Sequence, residues 1–249
     1  MSRKLLTAVL MTSVVMAMAL EVRAQAQNVR VVNPKVFGAT YGEWAAEWWR
    51  WALAGPVGAN AVEDLTGEFC DVDQPAGKVW FLAGSFGVPD VVRSCTIPKN
   101  RALFYPLVNS FWIDCPGTPD ETTPDAVVRE LLATQTVAGD LACQLRSTLD
   151  GVAISSLQIL TVRTQSPNFT INLPANNFLE GKGFCVPDVP PGETGRAIAE
   201  GYWVMLPPLS PGEHTLTLHG AGCVFGDPEN PRRGEVVFET GVTYQLTVQ

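Results

Sequence analysis

The apolar and polar positions of Thr40–Ala54 alternate with helical rather than extended spacing. At 3.6 residues per turn Trp44, Trp48 and Trp51 fall on one stripe, Glu43, Glu47 and Arg50 fall on the adjoining one, and Trp49 points to the opposite side. Both ends are marked. Thr40 and Glu43 have capping-box spacing, and Gly55-Pro56 is a stop signal, so a helix is predicted over residues 41–54. Four of the seven tryptophans of the chain lie in this stretch. Such an aromatic stripe edged by charge is either a core helix with a solvated border or the floor of a cleft.

Downstream the period changes to that of strands. Lys78–Phe86, Val91–Ile97 and Arg101–Val108 read as strands, the last two separated by a Pro98-Lys99-Asn100 turn. The run 102–108 is nearly all apolar, which predicts burial on both faces, and Pro106 within it predicts a bulge or an edge position. A second helix is predicted over 124–137, with Val127, Val128, Leu131 and Leu132 as its apolar face and Gly139 ending it. Gln144–Leu149 and Val152–Ile154 flank Asp150-Gly151, the preferred type I′ hairpin dipeptide. Short strands follow at Leu157–Thr164, Phe169–Leu173, Tyr202–Leu206, Glu213–His219, Val236–Glu239 and Thr243–Val248. Gly183–Gly195 and Asp227–Gly234 are loops. The expected fold is mainly β: an antiparallel β-sandwich of jelly-roll or Greek-key type, with a Trp-rich N-terminal helix and a second helix.

The N-terminus changes the compartment. Ser2-Arg3-Lys4 followed by the apolar stretch Leu5–Leu20 and two small-residue sites ending at Ala24 and Ala26 has the form of a cleaved export signal over residues 1–26. The run is shorter than the ~18 residues of a spanning helix, and no transmembrane segment is expected in the mature chain. Residues 27–249 are then a single periplasmic or secreted domain. Cleavage leaves 14 basic against 24 acidic residues, a net charge of −10, which argues against nucleic acid and anionic membranes as partners. Six cysteines in an exported chain predict disulfides. Pairing of sequence neighbours is favoured: Cys70–Cys95, Cys115–Cys143 and Cys185–Cys223, each contributing roughly 3 kcal/mol in the chain-entropy model. No Cys-x-x-Cys spacing supports a metal, and no dinucleotide or phosphate motif supports a cofactor.

Tyr41-Gly-Glu-Trp…Trp48-Trp-Arg-Trp, Val79-Trp-Phe-Leu-Ala-Gly, Cys95-Thr-Ile-Pro, Ala102-Leu-Phe-Tyr-Pro and Gly201-Tyr-Trp-Val-Met-Leu-Pro-Pro-Leu-Ser-Pro-Gly-Glu-His-Thr together resemble a group of exported bacterial proteins. The resemblance covers most of the mature chain. It implies a single exported domain and the cysteine placement, and it implies no activity.

Candidate chemistry is sparse. Glu43 and Glu47 lie side by side on one helix and cannot flank a glycosidic bond by themselves. Glu47 with Asp114, which adjoins Trp112, is the candidate catalytic pair, and Trp49, Arg50 and Trp112 are the candidate ligand-binding residues. The competing assignment makes Glu43 a cap and Glu47 the surface partner of Arg50. His214 and His219, five apart on one strand, cannot share a metal. The expected function is therefore handling of a carbohydrate or cell-envelope polymer, by binding or cleavage. The alternative is a non-catalytic envelope or matrix protein that holds a protein partner on an exposed aromatic patch.

Overall fold

The computed structural model describes residues 35–154, 161–185, 188–224, 229 and 234–249. The expected leader (1–26), the first part of the 157–164 strand and most of the 227–234 loop lie outside these residues.

Helix α1 (Tyr41–Ala52) begins with the capping box that the sequence predicts. Thr40 Oγ1 accepts from the Glu43 amide at 3.2 Å, and Glu43 Oε2 accepts from the Thr40 amide at 2.6 Å. The second helix, α2, spans Asp125–Gln135. Its buried stripe is narrower than expected: Val128 and Leu132 are buried, whereas Val127 is exposed.

Strands β1 (Val79–Phe81), β3 (Ala102–Ile113), β9 (Ala197–Leu206) and β6 (Thr161–Gln165) form one sheet in the order β1-β3-β9-β6. Strands β2 (Val91–Ile97), β11 (Val236–Val248), β10 (Gly212–Cys223), β4 (Ala142–Leu149) and β5 (Val152–Ala153) form the other, in the order β2-β11-β10-β4-β5. Short β7 (Asn172–Leu173) and β8 (Gly192–Glu193) pair with each other. The fold is a β-sandwich, as the sequence predicts. Most pairs are antiparallel, but β1 runs parallel to β3 and β2 parallel to β11, so both sheets are mixed. The two predicted closing strands are one, because the β11 ladder with β10 runs unbroken through Thr240–Val242.

Alternation along β3 and β9 makes three layers. Leu103, Tyr105, Val204 and Leu206 face the second sheet, where they meet Leu218, Tyr244 and Leu246. Phe104, Trp203 and Met205 face outward into α1. The central strands are therefore buried on both faces, which accounts for the unbroken apolar run. Trp48 of α1 packs on Trp203, with ring centroids 5.5 Å apart, and Trp203 stacks on Phe104 at 5.1 Å.

The cysteines are all paired. Cys70–Cys95 is as expected, but the other two bridges are Cys115–Cys185 and Cys143–Cys223, not Cys115–Cys143 and Cys185–Cys223. The physical reason is sheet order. β4 lies beside β10, which places Cys143 opposite Ala221 and two residues from Cys223, while Cys115 leaves β3 on the side where the 184–185 loop returns.

Candidate functional site

The predicted strand 78–86 stops at Phe81, and the reason positions the site. Beyond Leu82, whose amide still reaches Phe104 O at 3.1 Å, the backbone exchanges ladder partners for side chains of the second sheet. The Ala83 amide donates to Tyr244 Oη at 3.0 Å, and the Ser85 amide donates to Thr240 Oγ1 at 3.1 Å. Arg93, on β2 and 1 % exposed, donates to the carbonyls of Ala83 (2.9 Å), Gly84 (3.2 Å), Val62 (3.3 Å) and Asp64 (2.7 Å) and to Tyr244 Oη (2.7 Å). A buried guanidinium with its donors saturated in this way is a rigid post. It carries the chain across from one sheet to the other. The crossing ends in a turn, with the Val88 amide on Ser85 O at 2.9 Å and Gly87 at φ 74°, which displays Phe86.

Because β1 has departed, the edge of β3 after Phe104 has no strand partner on that side among the described residues. Pro106 is tolerated there for that reason. Leu107 is an extra residue in the β3–β9 register, since Pro106 faces Trp203 and Val108 faces Tyr202. The bulge exchanges the alternate positions that look toward α1: Phe104 before it, Phe111 after it. The gap beside this edge is a cavity of about 280 Å³. Its aromatic wall is Trp48, Trp49, Phe86, Phe111, Phe184 and Phe238. Phe111 lies 4.3 Å from Trp49 and 5.2 Å from Phe184, centroid to centroid. Ser85, Asn109, Ser110, Thr136 and Thr240 supply the polar groups of the lining, and among the described residues no ionisable side chain contributes to it. Ser85 and Thr240 are hydrogen-bonded to each other.

Trp49 behaves differently from its three helix neighbours. The indole N–H groups of Trp44, Trp48 and Trp51 donate to the carbonyls of Val36 (2.7 Å), Leu82 (2.9 Å) and Val72 (2.9 Å). Trp49 Nε1 is buried with no acceptor among the described residues. Trp49, a ligand-binding candidate from the sequence, is 4 % exposed, with Phe111 of β3 against its ring. It nevertheless walls the cavity.

The other residues singled out from sequence are engaged within the protein. Glu47 and Arg50 form an ion pair on the exposed edge of α1, and Arg50 Nε also donates to Thr170 O at 3.0 Å. Asp114 is 5 % exposed and accepts from Arg196 and from Trp112 Nε1, each at 2.9 Å. Arg50 and Arg196 line one shallow open groove with Asn168, Phe169 and Thr170. Neither Glu47 nor Asp114 lines it or the aromatic cavity. His214 bonds Asp150 at 2.8 Å, and His219 bonds Glu239 at 2.8 Å. Among the described residues no three His, Cys, Asp or Glu side chains converge as metal ligands.

Sequence reasoning missed Phe86, Asn109, Ser110, Phe111, Phe184 and Phe238 as a group. They come from four separate segments, and only Gly87 after Phe86 and Pro106 before Asn109 marked any of them in the sequence. No protein-family model, no curated protein and no solved structure matches the chain.

Proposed function

We propose that this chain is an exported binding domain that holds a small, uncharged, apolar molecule in the aromatic cavity beside β3. The observation that carries the proposal is the lining, which among the described residues consists of six aromatic rings and uncharged polar groups, with no ionisable side chain, around about 280 Å³. Concave, mostly apolar pockets with a few polar groups are the usual form of small-molecule sites. A charged ligand would lose its hydration there without a counter-charge, at a cost of several kcal/mol. By the scale on which ~150 Å³ accommodates benzene, the cavity takes roughly ten to twelve heavy atoms. Three disulfides suit an exported protein, and no helix among the described residues is long and apolar enough to cross a membrane. The basic-then-apolar N-terminus supports export by a cleaved leader to the periplasm or the medium.

The polymer-handling alternative has less support. Glu47, Arg50, Trp112 and Asp114 spend their polar groups on one another or on Arg196 and the backbone, and Trp49 is buried while Trp112 is half-buried. The test is calorimetric titration of the mature protein with 1-naphthol and, in parallel, with a panel of neutral and acidic polysaccharides. Saturable one-site binding of 1-naphthol, abolished by Ser110→Phe in a variant that melts like the parent, is the expected result. Polysaccharide binding with no binding of 1-naphthol overturns the proposal and restores the carbohydrate assignment.

A further inference from the structure

A second, more open chamber of about 280 Å³ adjoins the aromatic cavity and shares Val62, Ser85 and Phe86 with it. Phe86 stands in the common wall. Its ring meets Phe184 of the inner chamber at 6.3 Å and Phe178 of the outer one at 5.1 Å. It is 45 % exposed and sits on the Gly87 turn, so its ring is held by few neighbours. The chambers differ in charge. The inner one has no ionisable lining among the described residues. The outer one contains the Glu63–Lys182 ion pair at 3.3 Å, with the ammonium also 4.4 Å from the centre of the Phe178 ring. Leu65 and Val88, both exposed, complete the outer wall.

We infer that the two chambers form one site for an elongated, uncharged amphiphile whose alkyl or aryl tail passes Phe86 into the aromatic cavity and whose hydroxyl-bearing head stays at the Glu63–Lys182 pair. The inference rests on the assignment of the aromatic cavity as a ligand site. Direction follows from solvation: the tail loses nothing among the aromatic side chains, and the head keeps its water and gains the Glu63–Lys182 pair only in the more open outer chamber. Head chemistry follows from the balance of the pair. A hydroxyl both donates and accepts, so it satisfies the carboxylate and the ammonium together. A carboxylate head is repelled by Glu63, and a quaternary ammonium head is repelled by Lys182. Length follows from volume, since two such chambers hold roughly twenty heavy atoms where the inner one alone holds about half as many.

The experiment is calorimetric titration of the mature, oxidised protein with monomeric 1-alkanols from six to fourteen carbons, alongside the n-alkyl carboxylates and alkyltrimethylammonium salts of equal length. Affinity for the alcohols is expected to rise about threefold to fourfold per methylene through the whole series. Alcohols should bind at least tenfold more tightly than either charged series. Lys182→Met, an exposed substitution checked by a melting curve, should weaken alcohol binding by roughly twofold to tenfold, the worth of one hydrogen bond. A plateau beyond eight to ten carbons overturns the two-chamber site while leaving the inner cavity standing. Carboxylates that bind as tightly as alcohols, or an unchanged affinity in Lys182→Met, overturn the placement of the head. Binding of no member of any series defeats the underlying cavity assignment as well.

Discussion

Trp48 and Trp49 are consecutive, buried and in ring contact, with centroids 5.1 Å apart, yet replacing each by phenylalanine should have opposite effects on stability. The exchange removes roughly 40 Å³ of side chain, worth about 1 kcal/mol at ~24 cal/mol per Å³ if the space stays empty. That penalty is common to both. The difference lies in the indole nitrogen. At Trp48 the exchange deletes the donor to Leu82 O, the last carbonyl before the chain crosses between sheets. A buried carbonyl left without that partner costs about 1–3 kcal/mol, for a total of about 2–4 kcal/mol. At Trp49 the exchange deletes a buried N–H that has no acceptor among the described residues, and so relieves a penalty of the same size. Phenylalanine retains a ring contact with Phe111, and the space it vacates adjoins an existing cavity. Trp49→Phe should therefore be neutral or stabilising by up to ~2 kcal/mol. The assay is urea unfolding of the oxidised protein, reading the midpoint at constant m-value. Equal destabilisation by the two exchanges would refute the reasoning, because it would mean that ring volume alone decides and that the Trp49 nitrogen is satisfied.

Three further outcomes are expected. Non-reducing peptide mapping should recover Cys115 with Cys185 and Cys143 with Cys223, and a Cys115→Ala/Cys185→Ala double variant should lose about 4 kcal/mol, the chain-entropy worth of a loop closed across 70 residues; a Cys115–Cys143 peptide would contradict the sheet order. The Asp150 hydrogen bond and the Ser210 carbonyl raise the His214 pKa, and the His214 hydrogen bond with the Thr215 amide lowers that of Asp150. The histidine contribution is thus complete below its unfolded value of 6.5 and is lost as pH rises through the higher folded value, while that of Asp150 is lost only as pH falls below 3.8 toward its lowered value. Melting temperature against pH should fall above about pH 6.5 in the parent and lose that limb in His214→Ala, and parallel profiles would reject the assignment. Gly220→Ala should cost at least about 1–3 kcal/mol by chemical unfolding, because its Cβ would lie 2.3 Å from Leu107 O where the two sheets touch; a change under ~0.5 kcal/mol would show that the sheets can part there freely.

How far the sequence revealed this molecule depends on whether the information was local. The capping box at Thr40–Glu43, the Asp150-Gly151 hairpin (φ 51° and 79°) and the twofold burial of 102–108 are properties of a few adjacent residues, and all are present in the structure. The pairing of Cys115 with Cys185 and of Cys143 with Cys223 depends on which strands become neighbours, and sequence separation carries none of that. The same distinction separates the candidate residues. Glu47 and Arg50 are legible as a pair because they are three apart on a helix, and they are a pair. Asp114 and Trp112 are adjacent in sequence and do meet, but their third partner, Arg196, lies 82 residues from Asp114 and donates to the same carboxylate oxygen as Trp112. The cavity is the extreme case. It exists because β1 ends after three residues, and β1 ends because Arg93 and Tyr244 offer the following carbonyls better-placed donors than a strand would. Nothing in the apolar text of 78–86 marks that ending. It is written instead at Arg93, a single cation at an inward position of an alternating strand, where period two demands an apolar side chain. An arginine in such a slot must find carbonyl or carboxylate acceptors in the interior, and the chain that supplies them cannot also complete a ladder. The one polar residue out of pattern in β2 is thus the sequence-level trace of the crossing, of the free edge of β3, and of the space beside it.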